Sequence, residues 1–461
     1  MIRQVETFGN LHNTRKNLFK RVALVFVATL VFRIILDFLY VTYVTRIYSS
    51  DFPLIESSVF RLLESHLIVS ILSILIAGSL YSRWRPSGIV LVLYFIVVIV
   101  PLSSQYAFAN APATFMYASA MSFGVLLAVT GLLPRVKLPS LGKDLVYFVL
   151  SAVLGISLYV YGRLLLTGGL GRLNFDLRSV YITRAEYVQT MGPLLGYFVP
   201  WQAKIINIIG LLYALMRRNF WLFALIAVAQ LLLFGLTGYK SFLFALFLTS
   251  GTYFVWQRRN AIFWIVIGAT LLVSSAYGYF LITGNEFVPS LAIRRLFFVP
   301  ARLHVLYYDF FSKPDHPFYM LSDSILRGIL ENPYGGIPMP HLIALTYWVR
   351  EFWPNVGYLG DAYGNLGLLG MFLFSAILGF ILRIVDSVGS RLPPHLPAAA
   401  MVMPAMALCE SALFTSILTH GMVLAILMLW IIQSVEVRKA KIARIAAIAA
   451  QHVARIGGKG L

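Results

Sequence analysis

Arginine side chains are concentrated in two long polar segments that separate apolar blocks of the sequence. One segment covers residues 167–193 and the other covers residues 286–360. The guanidinium group is a rigid planar fork that binds phosphate through two parallel hydrogen bonds. The same segments contain carboxylates, so a structural role for these cations in salt bridges stays open. We predict that cations of these segments form a site for an anionic, phosphorylated ligand. They are Arg172, Arg178, Arg184, Arg294, Arg295, Arg302, Lys313, Arg327 and Arg350.

The spacing of these arginines predicts how they approach the ligand. Arg178 and Arg184 are six residues apart and would face differently on one helix, so we expect them to flank a turn and reach the ligand from two sides. Arg294 and Arg295 are adjacent and precede Pro300, which restricts the local backbone. We expect one of this pair to contact the ligand and the other to pair internally.

Lys240 lies in the stretch GLTGYKSF, in which two glycines permit a tight turn. The glycine spacing differs from that of a nucleotide-binding phosphate loop, and no strand precedes the stretch. A lysine here can bind a phosphate of the ligand or a phosphate of the lipid headgroups. The sequence leaves both roles open.

Five side chains in the second half of the chain are candidates for a general base that accepts a proton: His304, His316, His341, Glu351 and Asp361. Asp361 begins an apolar block in the stretch GYLGDAYGNLG, where capping of a helix N-terminus also explains it. The single cysteine, Cys409, excludes a disulfide or a cysteine metal cluster within the chain. We predict no metal and no cofactor.

A framework of membrane-spanning helices must position these residues. Of 461 residues, 59% are hydrophobic and only 12% are charged, which excludes a water-soluble monomer. The apolar blocks have the length of helices that cross a hydrocarbon core about 30 Å thick. We therefore predict an all-α polytopic membrane protein with about twelve transmembrane helices. The predicted spans cover residues 22–46, 66–83, 88–105, 113–134, 145–166, 194–216, 219–237, 240–257, 261–284, 361–383, 397–417 and 420–436.

Lysine and arginine in the short junctions predict the orientation. Basic residues follow the even-numbered spans, as Arg217 and Arg258 do, and they also occupy both ends of the chain. By the positive-inside rule, these junctions and both termini lie in the cytoplasm. The net charge of +19 is spread along these junctions instead of forming one basic face, so we predict no nucleic-acid partner.

We interpret residues 1–461 as a single transmembrane domain from which three segments extend. Residues 167–193 and 286–360 are two long loops on the outer, periplasmic side, and long loops on one face commonly carry function. We expect short amphipathic helices in these loops, with the aromatic stretch LHVLYYDFF, residues 303–311, lying on the outer leaflet. Residues 437–461 are a basic amphipathic tail that we expect to bind anionic lipid in the cytoplasm.

A few ionisable residues fall within or near the predicted spans, where charges are costly. Arg33 and Asp37 are one helical turn apart, and we expect them to neutralise each other. Lys204, Glu410 and His420 are isolated polar residues that the sequence does not combine into a site.

The second half of the chain resembles the bacterial O-antigen polymerase family, the Wzy-type oligosaccharide repeat-unit polymerases. Three stretches carry the resemblance: LTGYKSFLFALF at 236–247, LAIRRLFFVPARLHVLYYDFF at 291–311 and NVGYLGDAYGNLGLLGM at 355–371. The arginine pair followed by Phe-Val-Pro is the most specific of these motifs. The predicted topology, with two large periplasmic loops, is similar to that of the family.

The resemblance implies an enzyme of the bacterial inner membrane that joins oligosaccharide repeat units into O-antigen or a related surface polysaccharide. The donor would be a growing glycan on undecaprenyl diphosphate, and the acceptor would be a sugar hydroxyl of a new lipid-linked repeat unit. Cations near the leaflet would stabilise the leaving diphosphate without a metal, and the candidates are Arg178, Arg184, Lys240, Arg294, Arg295 and Arg302. The base that takes the acceptor proton would be Asp361, Glu351 or His341. Membrane lipid is another expected partner. The resemblance leaves open whether a protein that regulates chain length also binds.

Two alternatives stay open on the sequence. An O-antigen ligase would use the same donor but transfer the glycan to the lipid A core. A lipid-linked oligosaccharide flippase would also be basic and polytopic, but should place charges along a central cavity within the spans.

Overall fold

The computed structural model describes residues 2–55, 58–82, 85–350 and 352–457. Within these ranges the chain is all-α, without a named strand. The first helices are α1 (Ile2–Leu39), α2 (Thr45–Ile47), α3 (Val59–Ser82), α4 (Gly88–Tyr94), α5 (Val100–Phe108), α6 (Ala113–Leu132) and α7 (Lys143–Leu166). Those that follow are α8 (Val180–Thr190), α9 (Pro193–Trp201), α10 (Asn207–Met216), α11 (Phe220–Thr237), α12 (Lys240–Val255), α13 (Ala261–Thr283), α14 (Phe287–Pro289) and α15 (Val299–Phe311). The last are α16 (Met339–Trp348), α17 (Tyr358–Val388), α18 (His395–Ala400), α19 (Val402–Glu410), α20 (Leu413–Ile417) and α21 (Met422–Gly457).

Wider, π-helical turns join several of these helices into longer continuous segments. They cover Tyr40–Val44, Phe95–Ile99, Gln202–Ile206 and Ser290–Phe298, and two short 3-10 turns cover Gly169–Arg172 and Gly389–Arg391. Segments of π-helix are rare and occur frequently at functional sites. The longest of them, Ser290–Phe298, contains the arginine pair that the sequence singles out.

Ten helical segments of the described chain are long and apolar enough to cross a membrane, so the protein is a multi-pass membrane protein by helix length and hydropathy. They are Asn17–Ile47, Val59–Tyr81, Gly88–Phe108, Ala113–Leu132, Lys143–Leu166, Pro193–Met216, Phe220–Thr237, Ala261–Thr283, Tyr358–Arg391 and Leu413–Ile448. The all-α prediction is confirmed, with ten such segments where the sequence predicts about twelve spans.

The two remaining predicted spans differ from regular transmembrane helices. Helix α12 has 16 residues, which is about 24 Å at 1.5 Å per residue and less than a hydrocarbon core of about 30 Å. The predicted span 397–417 is divided among α18, α19 and α20. Pro397 and Pro404 lie in the first turns of two of these helices, where a missing N–H is tolerated.

Helix α17 is interrupted at the point where the second long loop docks onto it. Leu366 and Gly367 leave the helical conformation, and Gly367 adopts a φ of 61°, which favours glycine. The preceding turn binds the loop through Asn365, whose carbonyl accepts a hydrogen bond from the backbone of Met320 over 3.1 Å. The Asn365 side chain accepts a second bond, from the backbone of Leu321 over 2.8 Å.

Turns that follow the odd-numbered spans meet at one end of the bundle. Trp348 Nε1 donates a hydrogen bond to Asp51 Oδ1 over 2.9 Å, and Tyr48 contacts Glu286. The first long loop reaches the same end, because Arg172 bonds to the carbonyl of Leu236. We call this the loop end of the bundle.

The basic junctions meet at the other end. Backbone N–H groups of Val136 and Leu141 donate to Ser387 Oγ and Ser434 Oγ over 2.9 and 3.0 Å. Arg217 forms an ion pair with Glu436. In the folded chain the basic junctions and the long loops therefore lie at different ends of the bundle, as the sequence predicts.

Buried apolar side chains form two separate cores. The larger core extends through α1, α3–α6, α13, α15, α17 and α19. The smaller core is formed by α7–α9 and α11, with Tyr187 and Phe234 among its members. The first long loop packs with the smaller core, and the second packs with the larger one.

The aromatic stretch 303–311 is buried in the larger core, which corrects the expectation that it lies on the outer leaflet. Leu303, Tyr307 and Phe310 are all at most 8% exposed. The stretch forms helix α15, which packs against α17 and α5. Its rings are therefore packing residues, because neighbouring helices cover them on several sides.

The predicted neutralisation of Arg33 by Asp37 is confirmed. The two side chains form an ion pair on α1. Arg33 also donates hydrogen bonds to Ser104 Oγ over 2.7 Å and to Ser65 Oγ over 3.0 Å. The group therefore holds helices α1, α3 and α5 together.

Candidate functional site

A cavity of about 880 Å³ opens at the loop end of the bundle. This volume is in the range of small-molecule binding pockets, which is about 300–1,000 Å³. Its polar lining is mostly cationic. The lining residues are Asp51, Phe52, Arg184, Arg294, Arg295, Val299, Pro300, Arg302, Leu303, Trp348, Arg350, Phe352, Trp353, Pro354, Asn355 and Glu410. Four of the six cations predicted to bind the ligand, together with Arg350, thus converge on one space.

The π-helix Ser290–Phe298 brings two of these arginines to the cavity. Both Arg294 and Arg295 line it, although they are adjacent in the chain. Arg294 also bonds internally, to Ser290 Oγ over 3.2 Å, and lies over the ring of Tyr48 at 4.2 Å. Arg294 bonds internally, as we expect for one member of the pair. It nevertheless lines the cavity together with Arg295.

Arg184 reaches the cavity from helix α8 in the first long loop. Its Nη2 donates to the carbonyl oxygen of Gly238 over 3.1 Å, and its guanidinium stacks over Tyr239 at 4.4 Å. Its Nε is buried and has no hydrogen-bond partner in the described part of the chain. These contacts fix the guanidinium at the edge of the cavity.

Arg302 contributes a second buried donor of this kind. It follows Pro300 in the first turn of α15, and its Nε has no partner among the residues described. Burial lowers the pKa of this guanidinium below its ordinary value. Arg302 also lines the cavity, where its positive charge attracts an anion.

The positive charge of the cavity is not neutralised by ion pairs. None of the five arginines forms an ion pair with a carboxylate of the described residues. Asp51 and Glu410 also line the cavity, and Glu410 interacts electrostatically with Arg295. Five guanidinium groups against two carboxylates leave a cationic space that fits a multiply charged anion.

Two of the predicted cations lie outside this cavity. Arg178 is exposed, and its backbone nitrogen bonds to Asp176 Oδ1 over 2.9 Å. Arg178 does not line the cavity that Arg184 lines, whereas the sequence predicts that both arginines reach one ligand. Lys240 lies over the rings of Tyr181 and Phe287, at 4.8 Å from each centroid. Lys240 therefore bridges the two long loops beside the cavity.

Neither Asp361 nor His341 is among the described residues that line the cavity. Asp361 is 8% exposed, and both of its oxygens accept hydrogen bonds from protein groups. His341 packs against Trp353, with ring centroids 5.9 Å apart. Glu351 lies outside the described residues. Catalytic roles for all three stay predictions.

Sequence reasoning did not assign Asp51 or Glu410 to the site, and it left Arg350 out of the six preferred cations. Asp51 follows the first span and Glu410 ends α19, so they are far apart in the chain and no local motif joins them. The available signal was the cost of an ionisable residue in an apolar block, which marks Glu410.

Comparison of this chain with protein-family models, with curated proteins and with solved structures finds no match.

Proposed function

We propose that this chain is a glycosyltransferase-type polymerase that joins undecaprenyl-diphosphate-linked oligosaccharide repeat units at the periplasmic face of a bacterial inner membrane. The observation that carries this proposal is the convergence of five arginines without ion-pair partners among the described residues on one cavity at the loop end. The sequence resemblance to the O-antigen polymerases supports the same reaction class.

The chemistry of a lipid diphosphate leaving group matches such a cavity. When the bond between the sugar and the diphosphate breaks, negative charge develops on the leaving oxygen. Guanidinium groups that are fixed beside this charge stabilise it without reorganising. The five arginines that line the cavity are suitable donors.

The reaction balances with a base in the same cavity. A hydroxyl of the acceptor sugar attacks the anomeric carbon of the donor, the bond to the diphosphate oxygen breaks, and the lipid diphosphate leaves with the electron pair. The hydroxyl proton passes to a carboxylate. Glu410 is our candidate, because it lines the cavity beside Arg295 and is exposed there.

The decisive experiment is a reaction in vitro with the purified chain and an undecaprenyl-diphosphate-linked repeat unit, in the presence of EDTA. We expect a ladder of glycan products from the wild type and its loss in Arg295→Ala. Arg259→Ala is the matched control, because Arg259 is exposed and does not line the cavity. Monodisperse elution and an unchanged melting temperature would show that the variants are folded.

Other outcomes would assign a different function. Transfer of the glycan to added lipid A core, without a ladder, would favour the O-antigen ligase, which shares the donor. Movement of the intact lipid-linked sugar across a liposome, without transfer, would overturn the polymerase and favour the flippase.

A further inference from the structure

One wall of the cavity differs in chemistry from the arginines. It contains Trp348, Phe352 and Trp353, and it also contains the amide of Asn355. Phe352 is 38% exposed and Trp353 is 60% exposed, so each presents ring surface to the open space. Trp348 and Phe352 pack edge to face at 5.2 Å. We call these four residues the aromatic wall.

The aromatic wall is held in place by contacts behind it. Trp348 Nε1 bonds to Asp51 Oδ1 over 2.9 Å. Tyr307, which is buried in the larger core, donates from its hydroxyl to the carbonyl of Pro354 over 3.0 Å. His341 packs against Trp353 at 5.9 Å. These contacts fix Trp348, Trp353 and Pro354 before any ligand binds, which lowers the entropic cost of binding.

Aromatic rings next to amide and carboxylate groups suit a saccharide. One face of a pyranose ring presents C–H groups that pack on an aromatic face, while its hydroxyl groups need donors and acceptors at the edge. The electron-rich ring face favours such contacts. Asn355 supplies an amide donor and acceptor, and Asp51 supplies a carboxylate acceptor. Arginines do not select between saccharides and other groups on a diphosphate, whereas an aromatic face beside polar groups does.

We propose that the aromatic wall is the saccharide-binding part of the cavity, and that it contacts the sugar of a polyprenyl-diphosphate-linked glycan while the arginines bind the diphosphate. This inference rests on the proposed function and assigns the two parts of one substrate to two walls. An aromatic anchor for lipid headgroups is the competing role for these rings. It would bind lipid with or without a sugar.

The test measures the affinity of the full chain in nanodiscs for two probes. One probe is sugar-free undecaprenyl diphosphate, and the other is the lipid-linked repeat unit extracted from the source cells. We expect Trp353→Ala to weaken binding of the glycosylated probe about tenfold, which is about 1.4 kcal/mol, and to leave the sugar-free probe unchanged. Trp353→Phe should restore most of the affinity. Arg295→Ala should weaken binding of both probes.

Controls separate the possible failures. Trp221→Ala removes a tryptophan that is 90% exposed and does not line the cavity, so neither affinity should change. Asn355→Ala tests the same wall if Trp353→Ala does not fold. If Trp353→Ala weakens binding of both probes equally, or of neither, the inference is overturned. The proposed function is still supported in that case, provided that the wild type binds sugar-free undecaprenyl diphosphate. Absence of that wild-type binding would instead remove the proposed function.

Discussion

Oδ2 of Asp361 accepts a hydrogen bond from the backbone nitrogen of Leu413 over 3.2 Å. Oδ1 of the same carboxylate accepts one from Asn365 Nδ2 over 3.0 Å. The side chain therefore joins the interrupted helix α17 to the first residue of α20, where a helix start leaves backbone donors without partners. Both oxygens are engaged in holding two irregular segments together.

We predict that Asp361→Ala mainly lowers stability. Loss of the carboxylate leaves the buried N–H of Leu413 without an acceptor, which costs about 1–3 kcal/mol. Asp361→Asn keeps one carbonyl oxygen and should be closer to the wild type. Melting temperature in detergent and polymerisation rate would both be measured. A rate loss of about 100-fold in Asp361→Asn, at an unchanged melting temperature, would instead make Asp361 the base.

The two arginines of the first long loop should have unequal effects. Arg184 lines the cavity with a buried unpartnered Nε, whereas Arg178 is exposed outside it. We expect Arg184→Ala to weaken binding of undecaprenyl diphosphate about 10–100-fold, as for the loss of a charged hydrogen bond. Arg178→Ala should bind as the wild type does. Equal losses would support the sequence-based prediction that both contact the ligand.

Glu410→Gln should reduce turnover while preserving donor affinity. The amide has the shape of the carboxylate but does not accept a proton, and general-base catalysis contributes about 10²–10⁴-fold. Single-turnover rates and the dissociation constant of the donor would be measured separately. Asp51→Asn is the comparison, because its oxygen can still accept from Trp348. If Asp51→Asn loses turnover and Glu410→Gln does not, the base is Asp51.

Gly238→Ala should disturb the position of Arg184. Gly238 has a φ of +67°, and a Cβ there would lie 2.4 Å from the carbonyl oxygen of Val180 and 3.0 Å from the nitrogen of Arg184. We expect a lower melting temperature and weaker binding of undecaprenyl diphosphate. Gly251→Ala is the matched control, since a Cβ there meets nothing within 4 Å and alanine favours the helix. Wild-type binding by Gly238→Ala would show that the close approach relaxes without moving α8.

The sequence predicts the helical class and the division of loops well, because both depend on quantities summed over many residues. Apolar block length and the placement of lysine and arginine are such quantities. Interruptions are harder to predict. The breaks at Gly367 and Ser411 depend on what packs beside the helix, and a hydropathy average does not record packing.

The site itself was partly predictable. Arg184, Arg294, Arg295 and Arg302 stand out because arginine in an outer loop opposes the orientation signal. Their convergence depends on contacts between distant segments, such as Arg184 with Gly238. Glu410 is separated from Arg295 by more than one hundred residues, so only the folded chain brings them together.

The division of the cavity between two cores has a mechanical consequence. Arg184 belongs to a helix of the smaller core, and Arg294, Arg295 and Arg302 belong to helical segments of the larger one. Like charges therefore repel across the gap when no anion lies between them. A bound diphosphate reverses the sign of that force, because each guanidinium is then attracted to the anion that lies between them.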